Sequence, residues 1–322
     1  MTKLEKLSIV GSGIMGHSIA LTAAWAGFRV KVWGTNEKDI DRAKVGLEQK
    51  LEVLKGYEVL SENEKQKIVD KISFTQSLTE CVKEATFVIE AIPEILDLKQ
   101  EYFRQLDEIC PEETVIASNT SGLSATEIAK LTKNPSRTVV THFWNPAHLM
   151  PLVEVVRGEH TSDQTAERAL SLLKAMNKKP ILVKKDVLGS VGNRLQYAIF
   201  REAQYIVENG IASMEDVDAA VRYSIGRRFG VTGPFMTMDM GGLNTNASIT
   251  SYLFNDLCDR KEIFPTMKEL VENGHIGPKT GKGFYEWPSE FTAEMEHERE
   301  KELIHWLKKD IEETKQSVKN IK

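Results

Sequence analysis

The segment Leu7-Ser8-Ile9-Val10 runs straight into Gly11-Ser12-Gly13-Ile14-Met15-Gly16, and a helical pattern follows until Gly27. A strand, a turn with glycines at this spacing and a helix leave few folds open, because each glycine has its own steric task. Gly11 permits the tight turn, Gly13 lets the backbone approach a pyrophosphate, and Gly16 lets helix and strand pack closely. The unpaired amides at the helix start attract negative charge, and Gly27 supplies the stop. Gly11, Gly13, Ile14, Met15 and Gly16 are therefore expected to hold a dinucleotide.

The rest of the first half repeats this alternation. Apolar runs at 29–33, 87–91, 115–118, 139–142 and 152–156 are separated by helical patterns, the signature of a parallel sheet covered on both faces. Ser61 with Glu64 and Ser124 with Glu127 have capping-box spacing and mark helix starts. After Ile181-Leu182-Val183 the strand signal ends, and helical patterns run over 193–209, 214–225 and beyond Pro234. The expected fold is α/β: a Rossmann-type doubly wound domain over 1–186, an all-helical domain over 187–288, and a charged helical extension over 289–322. With 322 residues, the chain is long enough for two cores.

Composition removes whole classes of function. A net charge of -5, with Lys and Arg scattered among Asp and Glu, offers no basic surface for nucleic acid. Cys81, Cys110 and Cys258 are far apart, as expected of reduced thiols in a cytoplasmic protein, and suggest neither a disulfide framework nor a metal site. No apolar run reaches the length of a membrane span, and the first residues carry no signal core. A small-molecule substrate is the partner these features leave.

The dinucleotide's identity turns on the end of the second strand, where a carboxylate usually grips the adenosine ribose. Here Val30-Lys31-Val32-Trp33 runs into Gly34-Thr35-Asn36-Glu37-Lys38, with Gly34 in the acidic position. NAD is expected, with Glu37 available to the ribose. NADP stays the alternative, because no carboxylate at 34 repels a 2′-phosphate and Thr35, Asn36 and Lys38 can donate to one.

His142 ends one strand and Glu154 lies in the next. A histidine whose second nitrogen donates to a carboxylate is held in one tautomer and made more basic, which suits it to take a proton from an alcohol. Taken singly, the two read as a core histidine and a strand carboxylate facing solvent. Together with Asn119-Thr120-Ser121, Asn145 and Asn193-Arg194 they form a polar set at strand and loop ends, where open α/β sheets bind ligands.

From Leu7 to about Trp287 the sequence resembles the 3-hydroxyacyl-CoA dehydrogenase family. The resemblance rests on Gly11-Ser-Gly-Ile-Met-Gly16, Glu90-Ala-Ile-Pro-Glu94, Ser118-Asn-Thr-Ser121, His142-Phe-Trp-Asn-Pro146, Leu152-Val-Glu154, Asn193-Arg194, Gly233-Pro234 and Lys279-Thr-Gly-Lys-Gly-Phe-Tyr285. It implies that His142 and Glu154 are the catalytic pair, and that Ser121 and Asn193 orient the substrate and polarise its carbonyl. It also implies that Glu94, Lys99, Asn145 and Lys279 contact the cofactor, and that the helical domain forms a homodimer. The expected reaction interconverts a short L-3-hydroxyacyl-CoA and its 3-keto form with NAD.

Two departures concern the substrate's handle. Classical members bind the CoA phosphates through a Ser and a Lys after the second strand, whereas Lys50 and Tyr57 stand there in this sequence. The segments Asn193-Arg-Leu-Gln-Tyr-Ala-Ile199 and Gly226-Arg-Arg-Phe-Gly-Val-Thr-Gly-Pro234 are more similar to the lambda-crystallin and gulonate 3-dehydrogenase branch, which acts on free hydroxy acids. In that setting Arg228 is a candidate substrate-binding residue that clamps a carboxylate through paired hydrogen bonds; the alternative is an ion pair with a neighbouring acid. Gly189 and Gly192 replace bulkier apolar residues before Asn193 and would loosen that stretch. The competing readings are a non-catalytic crystallin-like or NAD-binding protein, and a glycerol-3-phosphate-dehydrogenase-like reductase suggested by Val32-Trp33-Gly34.

Overall fold

The computed structural model describes residues 5–319. The termini of the expected domain ranges, 1–4 and 320–322, lie outside the described residues. The chain divides into two compact units, one ending at Val191 and resuming at His297, the other Gly192–Glu296.

The first unit is built on one eight-stranded sheet. In chain order its strands are β1 (Leu7–Val10), β2 (Val30–Trp33), β3 (Ile72–Thr75), β4 (Phe87–Glu90), β5 (Val115–Ser118), β6 (Thr138–Phe143), β7 (Leu152–Val156) and β8 (Lys179–Val183). Their spatial order is β3-β2-β1-β4-β5-β6-β7-β8. The central strands β1, β4 and β5 are buried at every position, as the continuous apolar runs require of strands covered on both faces. Ile9, Ile89 and Ala117 feed one core, and Val10, Val88 and Ile116 feed the other.

Helices α1 (Ile14–Trp25), α2 (Glu37–Gly56), α3 (Glu62–Val69), α4 (Leu78–Val82), α5 (Leu96–Ile109), α6 (Ala125–Ile128) and α7 (Asp163–Ala175) belong to this unit. The Ser61–Glu64 capping box is complete. Ser124 accepts the Glu127 amide as expected and also donates to Asp186.

Two features differ from the sequence expectation. The edge strand β3 is not among the expected strands; its four residues, Ile-Ser-Phe-Thr, are at most half-buried and carry a weak apolar signal. The sheet is also not wholly parallel: β7 runs antiparallel to β6, and β8 pairs parallel to β7. A parallel return from β6 needs a crossover of a dozen or more residues, and the short connection between Phe143 and Leu152 permits only an antiparallel neighbour.

The second unit is helical from α8 (Gly192–Glu208) onward. The helical pattern over 214–225 resolves into an α-helix, Met214–Ala220, followed by a π-helical turn, Val221–Ile225. A C-terminal helix, Ser289–Lys319, ends the described chain. From His297 it is an integral part of the first unit. Ile304 is 1 % exposed and shares a core with Leu47, Leu51 and Leu54 of α2. Lys179 on β8 also reaches Asp310 at 2.6 Å. No helix among the described residues is long and apolar enough to cross a membrane.

Candidate active site

The glycine turn is fixed by contacts that leave no space for side chains. A Cβ on Gly16 would lie 1.8 Å from the Gly11 carbonyl oxygen. One on Gly11, whose φ is +116°, would lie 2.6 Å from Ala91 O. A Cβ on Gly13 would meet nothing within 4 Å, so the backbone there is bare toward the outside. The side chains of Asn36, Ser61, Ser77, Ser124 and Ser162 cap α2, α3, α4, α6 and α7, whereas Gly13 gives α1 no side-chain cap and its first turn carries no acid. Amides left uncapped at a helix start suit the pyrophosphate of a dinucleotide.

Gly34 has a packing reason. A Cβ there would lie 2.6 Å from an Ile40 side-chain carbon and 3.0 Å from Ser12 Oγ, so the position has no room for an aspartate. Of the polar residues that follow, Asn36 is spent on capping α2 through the Asp39 amide. Glu37 accepts a hydrogen bond from Gln76 at 2.8 Å.

His142 and Glu154 are direct cross-strand partners in the β6–β7 register, which puts their side chains on one face at hydrogen-bonding range. His142 Nδ1 lies 2.8 Å from Glu154 Oε2, with His142 7 % and Glu154 0 % exposed. A carboxylate only accepts, so Nδ1 carries the proton and Nε2 presents its lone pair. Glu154 is held further by the Val191 amide, 2.8 Å from Oε1, and by the Trp144 indole, 3.4 Å from Oε2. Asn119 steadies the strand end by accepting the Phe143 amide at 2.9 Å.

A second cluster organises the loop after β5. Glu94 Oε1 accepts from the Ser121 amide at 3.0 Å, the Ser121 hydroxyl at 3.3 Å and the Gly122 amide at 3.3 Å, besides the Thr120 hydroxyl. Burial alone would raise the Glu94 pKa, but these bonds and the Lys99 charge outweigh it and hold the carboxyl below the usual range. Lys99 itself is fully enclosed, its ammonium 2.7 Å from Glu90 and 3.4 Å from Glu94. Its position suits it to set Glu94. Asn145 is exposed beside the dyad strand, as is Ile14 at the helix start, with Met15 half-buried next to it.

Lys50 and Tyr57 are occupied by the chain's own groups. Lys50 Nζ donates to His17 Nε2 at 3.0 Å, and burial holds both groups below their ordinary pKa values. Tyr57 lies 6.5 Å, ring to ring, from His297 of the C-terminal helix.

In the second unit Asn193 lies in the first turn of α8 and Lys279 in the exposed turn Pro278–Thr280. Arg228 is exposed in Gly226–Phe229, directly after the π-helical turn. Among the described residues it makes no ion pair with an acidic side chain.

Sequence reasoning gave Trp144 no role of its own. Trp144 had a signal: continuing the β6 alternation puts it on the face of His142.

These features define a dinucleotide-binding α/β dehydrogenase with a histidine–carboxylate pair. The NAD binding domain of 3-hydroxyacyl-CoA dehydrogenase matches residues 6–187, and that family's C-terminal domain matches 189–287. The chain belongs to the 3-hydroxyacyl-CoA dehydrogenase family. It is 33 % identical over 301 residues to 5-formyl-3-hydroxy-2-methylpyridine 4-carboxylate 5-dehydrogenase of Mesorhizobium japonicum, covering 94 % of this chain and 96 % of that one. It is 37 % identical to the probable 3-hydroxybutyryl-CoA dehydrogenase of Bacillus subtilis, covering 88 % of this chain and 98 % of that one. A solved structure of the pyridine-carboxylate enzyme, an NAD+-dependent dismutase, superposes with a TM-score of 0.89 at 32 % identity, covering 96 % of this chain and 99 % of that one. The protein is thus an oxidoreductase with an NAD-binding domain.

Proposed function

We propose that this enzyme oxidises the carbinol carbon of a 3-hydroxy acid with NAD, and that the substrate is a free carboxylic acid. The observation that carries the chemistry is the buried His142–Glu154 pair at 2.8 Å. A bound dinucleotide supplies the hydride acceptor. His142 Nε2 takes the hydroxyl proton, and Glu154 stabilises the imidazolium that results. Ser121 and Asn193 hydrogen-bond the substrate oxygen as it gains carbonyl character.

The free-acid reading is supported by Lys50 and Tyr57, the expected CoA positions, which are engaged by His17 and by the C-terminal helix. Arg228, free of acidic partners among the described residues, suits a carboxylate clamp. The pyridine-carboxylate relative also matches more of this chain than the hydroxybutyryl-CoA relative does. A short 3-hydroxyacyl-CoA is the second reading, favoured by the 37 % identity to that relative. We further propose a homodimer, because the second unit exposes large apolar side chains, Phe235 and Met240 at 79 % each, as a dimer interface would, and a cytoplasmic location, with which the free, buried Cys81, Cys110 and Cys258 agree.

The test follows nicotinamide absorbance with NAD and NADP separately, offering free 3-hydroxy acids for oxidation and acetoacetyl-CoA for reduction. Turnover of free acids with NAD is expected. Turnover of the thioester alone establishes the second reading, and silence on every substrate overturns the dehydrogenase assignment.

A further inference from the structure

Glu154 is reached by donors that include two from the end of β6 and one from the chain just before α8. Its Oε2 receives the His142 ring N–H at 2.8 Å and the Trp144 indole N–H at 3.4 Å, while its Oε1 receives the Val191 amide at 2.8 Å. The Val191 amide follows a turn with two left-handed residues, Gly189 at φ 74° and Ser190 at φ 48°. The indole also lies against the imidazole, centroids 5.5 Å apart and planes 42° apart. Trp144 therefore touches both members of the pair at once, and it donates to the oxygen that faces the imidazole.

We propose that Trp144 is a positioning residue that sets both the orientation of Glu154 and its pull on the His142 proton; the inference rests on the dehydrogenase reading above. A second donor on Oε2 draws negative charge from the atom that holds the Nδ1 proton. Without it the carboxylate attracts the imidazolium more strongly, so His142 gives up its proton less readily. With the Val191 amide holding the other oxygen, the indole also restricts rotation of the carboxylate, which keeps the imidazole in one orientation.

The experiment compares Trp144→Phe with Glu154→Gln. It reads the acid limb of the kcat/KM profile against pH, and separately the His142 imidazole titration by NMR in protein without substrate. Trp144→Phe is expected to shift the limb and the titration upward by about half a pH unit and to lower kcat roughly three- to tenfold, with KM nearly unchanged. Glu154→Gln is expected to shift the titration downward, because it removes the negative charge. Loosened packing alone would let water reach Glu154 and also move it downward. A downward or absent shift in Trp144→Phe therefore overturns the inference. Should that variant fail to fold, benzothienylalanine at 144 keeps the ring's shape, replaces the N–H by sulfur and is judged by the same sign. Because the titration needs no turnover, failure to find a substrate leaves the positioning inference open to judgement on its own result.

Discussion

Replacing His142 with glutamine is expected to lower kcat by about 10²- to 10⁴-fold, the range that a positioned general base contributes, while NAD affinity stays within about twofold. Glutamine keeps a hydrogen-bonding group toward Glu154, whose side chain is fully buried and would otherwise be left short of a donor. It offers no nitrogen of suitable basicity for the substrate hydroxyl. Steady-state rates together with a fluorescence titration of NAD separate the two effects. Equal losses in both would place the histidine in cofactor binding instead.

The second large effect concerns stability in acid. His148 is 5 % exposed, bonded through Nδ1 to Ser18 Oγ at 3.0 Å, and burial pushes its pKa down to about 3, with Lys50, Lys178 and His17 adding positive charge nearby. His17 is lowered by burial and by Lys50 in the same sense. In the unfolded chain each titrates near its ordinary value, so below that value the unfolded state binds protons that the folded state refuses. The stabilising contribution of neutral His148 is complete above pH 6.5 and is lost as pH falls toward about 3. The loss is about 1.4 kcal/mol per pH unit, or roughly 2 kcal/mol between neutrality and pH 5. Urea unfolding at both pH values, with His148→Gln as reference, isolates it, since carboxylates contribute equally to both proteins. The variant should lose roughly 2 kcal/mol less than the parent over this interval. Equal losses would mean that His148 takes up a proton in the folded state.

What could be read in the sequence divides along physical lines. Strands buried on both faces announce themselves as unbroken apolar runs, and β1, β4 and β5 fall within a residue of expectation. Edge strand β3 has no such run, because its half-buried residues need not be apolar. The glycine turn was legible because each glycine answers a steric demand within its own segment. Gly34 was legible only as a missing carboxylate; its cause, the side chain of Ile40, became visible in three dimensions.

The same division holds at the candidate site. His142 and Glu154 stood out as residue types in successive strands, and the resemblance implied their pairing; the cross-strand register that brings them together is not written in the sequence. The Trp144 and Val191 donors needed coordinates, since one is an indole edge and the other a backbone amide. The C-terminal helix was read as a charged extension from its composition. Its apolar stripe, Leu303, Ile304 and Leu307, was legible at helical spacing and left open between covering the core and meeting a second subunit; it packs with the α2 residues Leu47, Leu51 and Leu54, more than two hundred residues earlier in the chain.

Whether His142 and Glu154 act as one proton-handling unit, as proposed, is decided by a double-mutant cycle on kcat/KM. With His142→Gln, Glu154→Gln and the double variant assayed on one hydroxy-acid substrate, the double variant should be no slower than His142→Gln alone, because a carboxylate that acts through the imidazole has nothing to act on once the ring is gone. Losses that simply add, or a Glu154→Gln enzyme as fast as the parent, would contradict the claim.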